Sequence, residues 1–281
     1  MTGVQTCALP ICFGPLAEAV VSIEDRGFQF GDGVYEVIRT YHGKPFAFDE
    51  HFARFERSAQ ALHLSLGHIK DQWIALVQEG LRLSRFPETK IYLQVTRGQA
   101  PRDHPFPVSI TPTTVLTFRE LHPLDASIRK AGVRAITLDD IRWGRCDIKS
   151  VNLLANVLAR QRAKEAGAFE AILVRDDLVT EGSVSNVMVV RNGVLETAPE
   201  GHRILSGVTR AIVLDLARKE GLPVVEKFVG RKDLLAASEV FLTGTTVEVL
   251  PVVHIDGQAI GAGVPGRLSQ LLSRRWEALA G

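Results

Sequence analysis

Strand-like and helix-like segments follow one another along this chain without a regular strand–helix–strand alternation. Residues 34–40 alternate apolar and polar side chains as a half-buried strand does, and apolar residues at three- and four-residue spacing follow over residues 52–62. Later, residues 186–190 and 194–197 flank Arg191-Asn-Gly193, a strong signal for a hairpin turn. Because a doubly wound parallel sheet needs regular alternation, the pattern favours an α+β fold of two domains.

A chain of 281 residues is long enough for two domains of ordinary size. Residues 122–128, which include His122-Pro-Leu-Asp125, are predicted to link a small α/β N-terminal domain (13–121) to a larger C-terminal domain (129–281).

Residues 1–12 are expected to be non-native. Met1 to Ile11 read as the in-frame translation of a sequencing adapter that starts at a GTG codon. The alternative, a short exported leader, lacks a basic beginning and a continuous apolar core. We therefore expect the natural chain to begin near Phe13 and its first strand to be missing.

Composition argues against several classes of function. The formal net charge is +1, so no basic field points to nucleic acid or to an anionic membrane. No apolar run approaches the roughly 20 residues that a membrane-spanning helix needs. Three cysteines form neither a disulfide framework nor a metal-binding spacing. A cytoplasmic protein without a metal is the expectation.

Two charged residues have a chemical interpretation beside an ordinary structural one. Lys149 lies in Arg145-Cys-Asp-Ile-Lys-Ser150, where a lysine is most often solvated, but a lysine partly withdrawn from water can form Schiff bases. Glu181 lies in Thr180-Glu-Gly-Ser, where a glutamate is most often a turn residue. A carboxylate fixed at a strand end can, however, keep a pyridine nitrogen protonated.

Two further segments could bind a phosphate. Ser206-Gly-Val-Thr-Arg210 opens a predicted helix, and the unpaired N–H groups at such an end bind anions well. Thr243-Gly-Thr-Thr246 follows a predicted strand and offers hydroxyl and amide donors. Ordinary capping is, at this point, the more common explanation of either segment.

Taken together and in this order, these segments resemble the class IV (fold type IV) pyridoxal-phosphate-dependent aminotransferases, and most nearly the D-amino-acid transaminases among them. The resemblance runs from about residue 14 to the C-terminus. It is carried by the stretches EDRGFQFGDGVYEV, EHFARF, IYLQVTRGQAPRDHPFP, DIRWGRCDIKSVNLL, TEGSVSN, GVTR and FLTGTTVEVLPV. It implies a small α/β N-terminal domain and a larger C-terminal pseudo-barrel.

The resemblance also implies a set of residues that bind pyridoxal 5′-phosphate. Lys149 matches the lysine that forms the internal aldimine and moves the substrate proton. Glu181 matches the carboxylate paired with the pyridine nitrogen, and Arg54 matches the arginine on the phosphate. The remaining phosphate contacts match Val208, Thr209 and Thr245.

The substrate carboxylate is expected to bind Tyr35, Arg102 and His104. In the family, the latter two residues reach across the interface of a homodimer. An arginine suits this role because it can bind a carboxylate with two parallel hydrogen bonds. The side on which the carboxylate is held decides which hydrogen faces Lys149, so the Pro101-Arg-Asp-His104 segment favours D-amino acids of the D-alanine type, with a 2-oxo acid such as 2-oxoglutarate.

Two departures from the family pattern and several alternatives stay open. Val184 and Gly244 stand where hydroxyl residues are common, so a contact with the cofactor or its phosphate is missing at each. Alternatives with the same cofactor are a branched-chain L-amino-acid or (R)-amine transaminase and an aminodeoxychorismate lyase. A non-enzymatic pyridoxal-phosphate-binding homologue and a cofactor-free Schiff-base lyase are further candidates.

Overall fold

The structure is a computed structural model that describes residues 12–281 and the backbone of residues 4–6. The segment expected to be non-native (1–12) therefore lies mostly outside the described residues. The chain divides into two compact units. The first contains residues 1–122 and 148–152, and the second contains residues 123–147 and 153–281.

The first unit is built on an antiparallel sheet in the order β2-β1-β6-β5-β3-β4. Its strands are β1 (Val4–Thr6), β2 (Phe13–Pro15), β3 (Gly33–Tyr41), β4 (Lys44–Pro45), β5 (Thr89–Thr96) and β6 (Thr113–Glu120). Its helices are α1 (Arg26–Phe30), α2 (Phe48–Ala61) and α3 (Lys70–Ser84), with a 3-10 turn at Leu16–Glu18.

The alternation of β3 decides which of its side chains enter the core of the first unit. Val34 and Ile38 lie on one face, where they pack with Phe52 and Phe55 of α2 and with Trp73 of α3. Successive strand residues point to opposite faces, so Tyr35 lies on the other face of the sheet. The buried helices thus fix β3, and β3 in turn presents Tyr35.

The second unit contains a mixed sheet in the order β12-β11-β10-β13-β14-β7-β8-β9, with β15 paired to β14. Its strands are β7 (Val133–Asp139), β8 (Glu170–Arg175), β9 (Leu178–Gly182), β10 (Asn186–Arg191), β11 (Val194–Thr197), β12 (Val224–Glu226), β13 (Glu239–Gly244), β14 (Glu248–Ile255) and β15 (Gln258–Ala259). Its helices are α4 (Ala126–Ala131), α5 (Leu154–Glu165), α6 (Val208–Lys219), α7 (Arg231–Leu235) and α8 (Arg267–Ala280).

This second sheet curls into a half-barrel around an aliphatic core. Its strands β9 and β10 lie in opposite halves of the strand order, yet only residues 183–185 connect them. The enclosed face carries branched aliphatic side chains such as Val187, Leu242 and Leu250. The α+β prediction is confirmed, since helices are added to two sheets without βαβ repetition.

Two local features differ from a simple linear division of the chain. Residues 148–152 return to the first unit although they lie far beyond the predicted linker. Within that linker (122–128), α4 already begins at Ala126, because the Asp125 side chain accepts a hydrogen bond from the Ser127 amide and caps the helix.

Neither a membrane span nor a metal cluster is found in the described part of the chain. None of its helices has the length and apolar character needed to cross a bilayer. Likewise, the described residues include no group of three or more His, Cys, Asp or Glu side chains that could hold a metal ion.

Candidate active site

Lys149 lies on a short segment that pairs with the beginning of β3. The Tyr35 amide donates to the Lys149 carbonyl oxygen at 3.0 Å, and the Val151 amide donates to that of Gly33 at 3.0 Å. In addition, the Lys149 amide donates a hydrogen bond to the Ser58 hydroxyl of α2 at 3.1 Å. The backbone of Lys149 is therefore fixed at both its N–H and its C=O group.

The side chain of Lys149 lies over an aromatic ring. Its Nζ is 4.3 Å from the centroid of the Tyr35 ring, within the range of a cation–π contact. Tyr35 in turn stacks on Tyr92 of β5, with 5.5 Å between ring centroids. Burial raises the pKa of the Tyr92 hydroxyl well above its usual range, so that ring stays neutral. The structure thus brings Lys149 and Tyr35 together.

Arg54 belongs to a buried charged cluster around Glu36, the residue that follows Tyr35 in β3. Its Nε donates to Glu36 Oε2 at 3.0 Å and its Nη2 donates to Glu36 Oε1 at 2.6 Å. His51 Nδ1 lies 3.0 Å from the same Oε1. Burial alone would raise the pKa of Glu36, but Arg54 and His51 hold it well below its usual range. This pair fixes the plane and direction of the Arg54 guanidinium.

Arg102 and His104 lie on the predicted loop after β5, and both are exposed. The Arg102 guanidinium carbon is 5.0 Å from the centroid of the Phe30 ring. The His104 ring lies 5.4 Å from the same ring. These two predicted substrate-binding residues therefore form a second group in the first unit, arranged around Phe30.

Glu181 is a buried carboxylate at the end of β9 in the second unit. Its oxygens accept hydrogen bonds from Arg142 Nη1, from Asn186 Nδ2 at 2.9 Å, and from the Leu205 amide at 3.0 and 3.1 Å. Asp140 holds Arg142 in place through a bond of 2.8 Å to Nη2. Burial raises the pKa of Glu181 to about 7, an effect that Arg142 only partly offsets.

The start of α6 is tied to the same carboxylate. Asn186 Nδ2 also donates to the Leu205 carbonyl oxygen at 3.0 Å. At the N-cap, Gly207 approaches Asn186 so closely that a Cβ there would lie 2.0 Å from its Oδ1. The N-cap residue Gly207 has no side chain that could cap α6, and the first residues of the helix, Val208 and Thr209, are buried. The start of α6, whose first N–H groups have no partner within the helix, thus lies near Glu181.

Thr245 follows β13 in the same unit and is half-buried. Its neighbour Gly244 lies close to Val184 and Val247. A Cβ on Gly244 would be 3.7 Å from the Val184 carbonyl oxygen and 3.3 Å from Val247 Cγ2. The two departures from the family pattern, Val184 and Gly244, are therefore neighbours in space.

The predicted site residues are divided between the two units: Tyr35, Arg54, Arg102, His104 and Lys149 lie in the first, and Glu181, Val208, Thr209 and Thr245 lie in the second. The partners of these residues that the sequence did not single out are buried or half-buried and charged or amide-bearing: Arg26, Asp32, Glu36, His51, Arg97, Asp140, Arg142 and Asn186. Their only signal was that most of them lie inside or beside the stretches that carry the family resemblance. Their roles depend on contacts that no local pattern predicts.

Comparison with known families accounts for these stretches. The family model "Amino-transferase class IV" matches residues 33–255. The chain belongs to the class IV aminotransferase family. The matched range includes each predicted site residue, from Tyr35 to Thr245.

Individual relatives in this family are similar over most of their length. The D-alanine aminotransferase of Bacillus licheniformis is 50% identical over 255 residues, which cover 90% of this chain and 89% of that protein. The D-alanine aminotransferase of Staphylococcus haemolyticus is 43% identical over 255 residues, which cover 91% of this chain and 90% of that protein.

A solved structure supports the same family at the level of the fold. The T.th. branched-chain amino acid aminotransferase, solved with pyridoxamine 5′-phosphate, is 28% identical with a TM-score of 0.91. The alignment covers 100% of this chain and 94% of that one. The predicted fold of the fold type IV aminotransferases is confirmed.

Proposed function

We propose that this protein transfers the amino group of D-amino acids of the D-alanine type to a 2-oxo acid such as 2-oxoglutarate, with pyridoxal 5′-phosphate as cofactor. It is a transaminase of class IV. The observation that carries the choice of D-amino acids is the 50% identity to a D-alanine aminotransferase over nearly the whole chain.

The second unit fits the two ends of the cofactor. Glu181 is a desolvated acid with a pKa near 7, so a cationic partner such as a protonated ring nitrogen would stabilise its ionised form. Asn186 joins this acid to the start of α6, whose N-cap residue is a glycine, and such a helix start suits a phosphate. An acid for the ring and an anion site for the phosphate therefore lie in one hydrogen-bonded cluster.

We assign the cofactor contacts accordingly. When bound, pyridoxal phosphate supplies the aldehyde that takes up the amino group and a ring that withdraws electrons from the substrate α-carbon. Glu181 holds the ring nitrogen, and the Val208 and Thr209 amides hold the phosphate. Arg54 and Thr245 add further phosphate contacts.

Lys149 is assigned as the catalytic residue. As a neutral amine, its Nζ accepts the proton from the substrate α-carbon and later gives it up again. An oriented base of this kind contributes roughly 10²–10⁴-fold to the rate. The fixed backbone of Lys149 and its position over Tyr35 support this role, because they limit where Nζ can move.

Tyr35, Arg102 and His104 are assigned to the substrate carboxylate. The guanidinium of Arg102 and the hydroxyl of Tyr35 offer the donors that a carboxylate needs. Since this contact sets the orientation of the α-carbon, it sets the preferred enantiomer. We further propose that the protein acts as a cytoplasmic homodimer, as its family resemblance implies.

The competing assignment within this family is a branched-chain L-amino-acid transaminase, which the similarity to the T.th. structure favours. Its support is weaker, at 28% identity against 50% for the D-alanine enzyme. The two assignments differ in the enantiomer that reacts, so one assay separates them.

The test is to assay the purified protein with 2-oxoglutarate and, separately, D-alanine, L-alanine and L-leucine. Turnover of D-alanine is expected, and the visible absorbance of the bound cofactor should change on adding D-alanine but not L-alanine. Turnover of L-leucine without D-alanine would overturn the proposal.

The role of Lys149 is tested with Lys149→Ala and the exposed control Lys164→Ala. Borohydride should attach the cofactor covalently to the native protein and the control, but not to Lys149→Ala. Attachment at another lysine would refute the assignment.

A further inference from the structure

We propose that Arg26 is a positioning residue for substrate recognition, because it holds the loop of residues 101–106 in the conformation that presents Arg102 and His104. The proposal rests on the proposed function, in which those two residues bind the substrate carboxylate. Arg26 itself belongs to α1 and is only 3% exposed.

The first observation is the set of bonds from Arg26 to the loop backbone. Its Nη1 donates to the Asp103 carbonyl oxygen at 2.5 Å and its Nη2 to the His104 carbonyl oxygen at 3.1 Å. The Asp103 carbonyl group lies between Asp103 and His104, and the His104 carbonyl group lies just after His104. One buried guanidinium thus fixes the two peptide groups on either side of His104, the first of which lies one residue beyond Arg102.

The second observation is that Arg26 is itself fixed by an acid. Its Nε donates to Asp32 Oδ2 at 2.8 Å, and the same oxygen accepts from Arg97 Nε at 2.8 Å. Arg97 also donates to the carbonyl oxygens of Leu62 and His63, at 2.7 and 3.1 Å. Burial would raise the pKa of Asp32, but the two arginines lower it, so the acid is ionised and anchors both.

The third observation is that the base of the loop is paired with the residues before α1. The Arg26 amide donates to the Gly98 carbonyl oxygen at 2.8 Å, and the Ala100 amide donates to that of Glu24 at 3.1 Å. Gly98 has φ +104, and a Cβ there would lie 2.0 Å from the Thr111 carbonyl oxygen. The loop therefore leaves β5 along a fixed path that brings it to Arg26.

The fourth observation is the aromatic ring shared by the cationic side chains. Phe30, at the end of α1, has the guanidinium carbons of Arg26 and Arg102 at 4.8 and 5.0 Å from its ring centroid. The His104 ring lies 5.4 Å from it. Arg102 and His104 are exposed, yet both pack on this ring. The ring limits their side-chain freedom before any substrate binds.

These contacts predict an effect on substrate binding rather than on proton transfer. An exposed loop that becomes ordered only on binding loses conformational entropy at that moment, and this weakens affinity. Removal of Arg26 should therefore raise the KM for D-alanine while kcat changes little. A lysine cannot replace it, since three different nitrogens of Arg26 reach three separate acceptors.

The experiment compares Arg26→Gln and Arg26→Lys with the control Arg82→Gln in the cofactor-loaded enzyme. Arg82 is an exposed arginine of the same unit that pairs only with half-buried Glu79 in the described contacts. We expect both Arg26 variants to raise the KM for D-alanine at least ten-fold, with kcat within three-fold of the native value. The control should match the native enzyme.

Trypsin cleavage after Arg102 measures loop order independently of activity. It should be at least five-fold faster in both Arg26 variants than in the control. If Arg26→Gln does not fold, the KM for D-alanine and the rate of trypsin cleavage are measured in Arg26→Lys and Phe30→Leu instead. Both the KM and the cleavage rate should rise in these variants.

Arg102→Ala separates failure of this inference from failure of the proposed function. If Arg102→Ala raises the KM but the Arg26 variants change neither KM nor cleavage, the inference is wrong and the assignment of Arg102 stands. If Arg102→Ala leaves the KM unchanged, the proposed carboxylate site is itself wrong.

Discussion

Replacing Glu181 with glutamine should change how the stability of the cofactor-free protein depends on pH. Burial raises the pKa of this carboxyl from 4.5 to about 7, so its proton is bound more tightly in the folded state than in the unfolded one. The stability gained from that proton is complete below pH 4.5 and is lost as the pH rises through about 7. The difference corresponds to about 3 kcal/mol.

The assay is urea denaturation of cofactor-free native protein and Glu181→Gln at intervals from pH 4.5 to 8.5. Glutamine does not titrate, so the native protein should lose about 3 kcal/mol relative to the variant across this range. Glu165→Gln, which changes an exposed acid of the same unit, is the matched control and should give a curve parallel to the native one. Parallel curves for native protein and Glu181→Gln would refute the reasoning.

Further predictions concern the phosphate end and Arg97. Gly207→Ala should weaken cofactor binding at least ten-fold by equilibrium dialysis, because its Cβ would lie 2.0 Å from Asn186 Oδ1 and would displace that side chain; unchanged affinity would contradict this. Gly244→Ser should tighten cofactor binding several-fold, and its effect should not add to that of Val184→Ser, since the two positions are neighbours. Arg97→Met should lower the melting temperature by about 5 °C or more in a thermal scan, because it leaves half-buried Asp32 with one fewer cationic partner.

The sequence predicted local elements well where a turn or cap residue marked them. The hairpin at Arg191-Asn-Gly193 is confirmed, with β10 and β11 on either side and positive φ at Asn192 and Gly193. Such turns need only the conformational freedom of two adjacent residues, which the sequence states directly. In contrast, the return of residues 148–152 to the first unit depends on long-range pairing with β3, which carries no local signal.

The site shows the same division between local and long-range information. The family resemblance selected Lys149 and Tyr35, and the structure places the amine over the ring. It did not select Asp32, whose carboxylate joins two arginines from distant parts of the chain. A short polar residue between two glycines is typical of a turn. Its second role, as the partner of Arg26 and Arg97, becomes visible only in the folded structure.

Buried ion pairs recur beside each group of predicted site residues, and their energetics argue for positioning. Glu36 pairs with Arg54, Asp32 with Arg26, and Glu181 with Arg142. Desolvation makes such pairs poor sources of stability, and well-packed apolar side chains would often stabilise the fold as much or more. Their geometry, however, fixes each charged group in a direction that apolar packing cannot set. We therefore infer that the ion pairs hold in place the groups proposed to bind the anionic cofactor and the substrate carboxylate.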